Sequence, residues 1–151
     1  MRRRPVCVSA CLLEYVSSSA LCDAGPRRTG WLTDSVTAAG DDLADQLAAL
    51  FEALQGWYDE PAFRGCALLN AAAQHHTDVV RTITARHLGR YLELLTKIAD
   101  RAGAADPRQF ARQLLILVEG ATVVADHHNP HRAGEDACQA ALTLLASARR
   151  H

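Results

Sequence analysis

From residue 41 onward the chain is patterned for helices. Leu43, Leu47, Leu50, Phe51, Leu54, Trp57 and Tyr58 lie at offsets of 0, 4, 7, 8, 11, 14 and 15, one stripe on a helix of about 3.6 residues per turn. Asp41 and Asp42 place negative charge at its N-terminus. Pro61 stops it, because the residue before a proline disfavours helical angles. A shorter helix, Trp31–Ala39, precedes it and breaks at Gly40. Cys66–Ala73 reads as a short helix between Gly65 and the polar Gln74–Thr77. From about Asp78 to Ala102, one face carries Val80, Ile83, His87, Tyr91, Leu94, Leu95 and Ile98, and Gly103 is placed to cap the C-terminus. Asp106-Pro107 reads as an N-cap followed by proline at the first helical position, with Gln109 at the capping-box place.

The helix from Pro107 to about His128 would be roughly 30 Å long. It carries the unbroken apolar run Leu114–Val118 and then Ala121, Val123, Val124 and Ala125. Apolar residues on more than one face need partners on two sides, the chain's own core and a second subunit. Asn129-Pro130 ends this helix. The last one, Gly134–Arg149, carries Ala137, Cys138, Ala141, Leu142, Leu144, Leu145 and Ala148. The expected fold is an all-α helical bundle.

The first thirty residues lack this patterning. Arg2, Arg3 and Arg4, the apolar run Val6–Leu13 and the serines 17–19 loosely follow a secretory leader. Glu14 and Tyr15 interrupt the run, and Ser18–Cys22 offers no small-x-small cleavage site. Leu21 also sits badly for a lipoprotein signal at Cys22. Residues 1–30 are therefore expected to be a poorly ordered extension ahead of a folded domain at 31–151. With Gly25, Pro26 and a serine cluster they do not supply the three patterned helices of a helix-turn-helix.

A length of 151 residues suits one domain with a real core. Hydrophobic residues make up 49% and aromatic residues only 5%, so that core is aliphatic and alanine-rich. The net charge of -1 lacks the basic surplus of a nucleic-acid-binding domain. Seven histidines would raise the charge at mildly acidic pH. No run of about 18 apolar residues marks a membrane span. The five cysteines (Cys7, Cys11, Cys22, Cys66, Cys138) are odd in number and form no CxxC pair. They read as reduced cytosolic thiols rather than a disulfide framework.

No nucleophile elbow, phosphate-cradling glycine loop or HExxH stretch is present, so no catalytic residue is assigned. His127, His128 and His131 straddle Pro130 and have no further cluster at ligand spacing; the pair His75-His76 is equally isolated. Neither a metal nor a cofactor is expected. Cys66 has no local feature that lowers its pKa, and inert burial is its default.

Three segments, WLTDSV, LAALFEALQGWYDEPAFRGCALLNAAAQ and QLLILVEGATVVA, carry a resemblance. The most specific stretch is Phe63–Gln74. Together, over about Trp31 to Ala148, they resemble the C-terminal effector-binding and dimerisation domain of TetR-type transcriptional regulators. The resemblance implies a cytoplasmic homodimer in which the last two long helices of each subunit form an intersubunit four-helix bundle. It also implies a pocket among the middle helices for an apolar or amphipathic small molecule. Such proteins carry a helix-turn-helix of roughly fifty residues just ahead of the position of Trp31. Here that unit is not seen, so DNA contact is expected only if a missing segment or a partner supplies it.

The candidate pocket residues are Trp57, Phe63, Cys66, Leu69, Asn70, His87, Tyr91 and Glu119. For the aliphatic members, ordinary core packing is the competing reading. Asn70, His87 and Tyr91 put polar groups on apolar faces and need a partner, whether ligand, water or side chain. Glu119 shares a stripe with Arg112 and Asp126 and is either solvated or a pocket anchor. The candidate dimer interface is Leu117, Gly120, Ala121, Val124, Ala137, Ala141, Leu142 and Leu145, where small residues allow close helix crossings. An alternative function is a dimerisation module that forms inactive heterodimers with a full-length relative; another is a small helical enzyme.

Overall fold

The computed structural model describes residues 19–148. They form six helices and no strand: α1 Ser19–Ala38, α2 Leu43–Tyr58, α3 Ala67–Gln74, α4 Asp78–Arg101, α5 Pro107–His127 and α6 Ala133–Ala148. The all-α bundle expected from the periodicity is present, and its local signals work as read. The carboxylates of Asp42 and Asp106 accept from the amides of Asp45 and Gln109, and the Thr77 hydroxyl accepts from Val80. Pro107 opens α5. Gly103 follows α4 in the left-handed conformation, φ 66°.

The centre of the bundle is α2, which packs against α1, α4, α5 and α6. Leu47, Leu50 and Leu54 on its inner face are fully buried. A long stretch of α4 lies along α5, and α3 packs on α4. The junction of α2 with α6 is set by one side chain. The Gln55 amide donates to the Pro130 carbonyl at 2.6 Å and its oxygen accepts from the Gly134 amide at 2.9 Å. Gly134 has no room to spare, because a Cβ there would stand 2.8 Å from Gln55 Cβ and 2.9 Å from the Phe51 carbonyl oxygen.

One element differs from expectation. The helix expected at Trp31–Ala39 begins at Ser19 and runs through Gly25, Pro26 and Gly30. Local breakers were overridden by packing: Leu32 and Val36 are buried against α2 and α4, and burial of a face outweighs weak propensity. Pro26 removes a single helical hydrogen bond. The apolar run Val6–Leu13, with Cys7 and Cys11, lies outside the described residues.

The eight candidate interface residues divide by burial. Ala121, Ala137, Ala141 and Leu145 belong to the chain's own core, and Leu117 and Leu142 are half-buried against it. Gly120 and Val124 face outward. The larger outward apolar side chains on α5 are Ile116, 71% exposed, and Val123, 51% exposed. Residues 116, 120, 123 and 124 form a single strip along α5. Among the described residues no helix is long and apolar enough to cross a membrane.

Candidate functional site

Where α2 ends, the chain turns back on itself. The Phe63 amide closes on the Glu60 carbonyl, and Gly65 takes a positive φ of 71°. This tucks Phe63 under the end of α2, edge-on to Trp57 with ring centroids 4.8 Å apart and 5.3 Å from Tyr58. Three residues later Cys66 stands at the N-cap position of α3. Its Sγ lies 3.5 Å from Nε2 of His87 on α4, and the His87 ring meets Tyr91, one turn on, edge to face at 5.1 Å. From α5 come Glu119 and Thr122. The Thr122 hydroxyl donates to the Val118 carbonyl at 2.9 Å, so its oxygen accepts from the Tyr58 hydroxyl at 3.0 Å. Arg28 of α1 closes the group, its guanidinium 3.3 Å above the Trp57 ring.

Burial governs the charges of these groups. It pushes the Tyr58 hydroxyl up to about 12, with the Thr122 hydrogen bond and Arg28 opposing and Glu119 adding. The Tyr91 hydroxyl and the Cys66 thiol are raised by the same cause. Burial, and then the positive charges of Arg28 and Arg90, bring His87 down to about 4. Cys66 and His87 are therefore a neutral thiol–imidazole pair at neutral pH, not a thiolate–imidazolium nucleophile. Nδ1 of His87 is buried without a hydrogen-bond partner, whichever ring nitrogen carries the proton. Burial raises the Glu119 carboxyl to about 7 even though Arg28 pulls the other way. Nη1 of Arg28 is likewise buried without a partner.

Of the eight candidate pocket residues, six gather here: Trp57, Phe63, Cys66, His87, Tyr91 and Glu119. Leu69 contributes through its backbone amide, which points to the Cys66 sulfur, while its side chain is half-buried. Asn70 lies apart. It is exposed, and its amide donates to the Arg64 carbonyl at 3.0 Å, tying down the 59–66 loop. Three members were not anticipated, namely Arg28, Tyr58 and Thr122. Arg28 sits four residues before Leu32 and eight before Val36, so it extends their stripe toward the N-terminus. Thr122 is a hydroxyl in an otherwise apolar stretch. On the outside, Arg27, Arg28, Trp31, Trp57 and Glu60 line a surface cleft of about 400 Å³.

The histidines at and beyond the end of α5 make separate contacts. His127 Nε2 is 3.5 Å from Asp126 Oδ2, and His131 Nδ1 is 3.4 Å from Asp59 Oδ1. Among the described residues no group of three or more His, Cys, Asp or Glu side chains is placed to hold a metal ion.

Residues 44–141 match a family model described as tetracyclin repressor-like, C-terminal domain. The fold is similar to the crystal structure of a TetR-family transcriptional regulator from Streptomyces coelicolor. The TM-score is 0.70 at 24% sequence identity, covering 85% of this chain and 70% of that one. A search of curated proteins gave no significant match.

Proposed function

The chain belongs to the family of tetracyclin repressor-like C-terminal domains, and on that premise we propose that it is the effector-binding and dimerisation domain of a transcriptional regulator. It senses a small apolar or amphipathic molecule at the Trp57–His87–Tyr91 cluster and works as a homodimer. DNA recognition is assigned to a helix-turn-helix outside residues 19–148, and no catalytic role to the chain.

The observation that carries this reading is the unpartnered Nδ1 of His87. That side chain is 2% exposed, meets the Tyr91 ring edge to face on its own helix, and stands 3.5 Å from the Cys66 sulfur of another segment. Leaving a buried polar atom without a partner costs about 1–3 kcal/mol. A packed core would have placed an apolar residue there. Mostly apolar walls with a few unsatisfied polar atoms are what a small-molecule site requires. The pairing of two chains is supported by the exposed strip of Ile116, Gly120, Val123 and Val124 on α5.

Thermal denaturation of the purified chain across a library of hydrophobic small molecules tests the reading. Binding to the folded state alone stabilises by about 2.7 kcal/mol when free ligand is 100 times Kd, so genuine effectors raise Tm. His87→Ala should weaken hits that carry a hydrogen-bonding group by about 1 kcal/mol. If no compound shifts Tm, or if every shift survives His87→Ala unchanged, the cluster is core packing and the proposal fails.

A further inference from the structure

The sensing reading leaves the chemistry of the effector unspecified, and the charges around the site narrow it. Arg28 is the cation whose charge reaches Tyr58, Cys66, His87, Tyr91 and Glu119 alike. A guanidinium is always charged and presents five N–H donors in a planar fork. Stacking on Trp57 satisfies its face, and Nη1 at its edge is buried without a hydrogen-bond partner. The neighbouring carboxyl does not answer it. Among the described residues no ion pair joins Arg28 to Glu119. Burial keeps Glu119 partly protonated near neutral pH, so it supplies less than a full counter-charge.

Arg28 also lines the surface cleft with Arg27, Trp31, Trp57 and Glu60, so its charge is felt both at the opening and by His87 and Tyr91 inside. A cationic ligand would meet that charge first. A neutral ligand could occupy one donor and would leave the charge uncompensated. A carboxylate fits both requirements, because its two coplanar oxygens match the guanidinium fork and its charge offsets the guanidinium in a water-poor setting.

We propose that the effector carries a carboxylate that pairs with Arg28 in the Trp31–Trp57 cleft, with its apolar or aromatic body against Trp31 and Trp57. This rests on the reading of the cluster as an effector site. It adds a requirement for negative charge that the sensing reading alone does not contain.

Isothermal titration of the full chain with two matched pairs of probes, naphthoate against naphthamide and decanoate against decanamide, separates the two claims. Each pair keeps its body and exchanges only the acid for a neutral amide. The titration is run at about pH 6, where both acids are ionised while burial holds Glu119 largely protonated and His87 neutral. The expected result is a roughly tenfold or greater preference for the acid in at least one pair. Arg28→Gln should abolish that preference, and Arg28→Lys should retain part of it. If an amide binds as tightly as its acid, or if the preference survives Arg28→Gln, the carboxylate assignment is overturned while effector sensing stands. If neither pair binds, the carboxylate assignment fails; if the library also yields nothing, sensing fails with it. The comparison of acid with amide is made on the unaltered chain, so it decides the matter even if an Arg28 variant does not fold.

Discussion

His87 is buried and Glu119 half-buried in one cluster, with opposite consequences for protons. The folded-state pKa of His87 falls from 6.5 to about 4. Between those values the unfolded chain holds the extra proton, and stability rises with pH. The pKa of Glu119 rises from 4.5 to about 7. Between those values the folded chain holds the extra proton, and stability falls as pH rises. Over most of the interval the two effects oppose each other. Removing one should uncover the other. Relative to the unaltered chain, His87→Gln should lose stability as pH climbs from about 4 to 6.5, with a slope of order 1 kcal/mol per pH unit. Glu119→Gln should gain it from about 4.5 to 7. Urea denaturation at half-unit pH steps measures both differences; parallel curves for the variants and the unaltered chain would mean that neither group is buried as described. The sequence made His87 and Tyr91 legible, because a helical stripe with polar members needs partners. Arg28 was not legible, because its stripe of two apolar residues is too short to distinguish from a tail when Gly25, Pro26 and Gly30 surround it.

Between elements, the junction of α2 and α6 depends on a glycine. Gly134 opens α6 beside Gln55, whose amide serves Pro130 and Gly134 together. An added methyl would press on the Phe51 carbonyl, which is backbone and cannot swing aside. Gly134→Ala should therefore destabilise the fold by about 1–3 kcal/mol, against the gain of up to about 1 kcal/mol that alanine normally brings to a helix. A denaturation midpoint equal to or above that of the unaltered chain would show that α6 can shift without cost. Helix boundaries set by proline, glycine and Asp caps could be read directly, as at Asp106-Pro107 and Gly103. The start of α1 could not, because burial of Leu32 and Val36 against α2 and α4 is a long-range effect with no local sign. The role of Gln55 is hidden for the same reason, its partners lying 75 and 79 residues away.

At the scale of the whole molecule, the side of α5 that faces away from the core carries Ile116, Gly120, Val123 and Val124. Glycine inside a helix costs about 1 kcal/mol relative to alanine, yet a Cβ on Gly120 would meet nothing within 4 Å. Nothing inside the chain requires that glycine, whereas a second helix crossing closely at this point would. The sequence marks Gly120 and Val124 as interface candidates, and both face outward. It could not tell them from Ala137, Ala141 and Leu145, which are equally small or apolar but belong to the core. Two charge insertions should therefore behave differently. Leu145→Glu places a charge in the chain's own core and should unfold it, with a loss of several kcal/mol. Val123→Glu adds a charge to a solvent-facing strip and should leave the helical content and the fold of the chain intact. If two copies meet across that strip, Val123→Glu converts a dimer to a monomer in sedimentation velocity at micromolar concentration, and Gly120→Leu does the same by holding the helices apart. A Val123→Glu chain that remains a dimer would place the contact elsewhere, and an unaltered chain that sediments as a monomer would leave the strip and its glycine without a purpose in assembly.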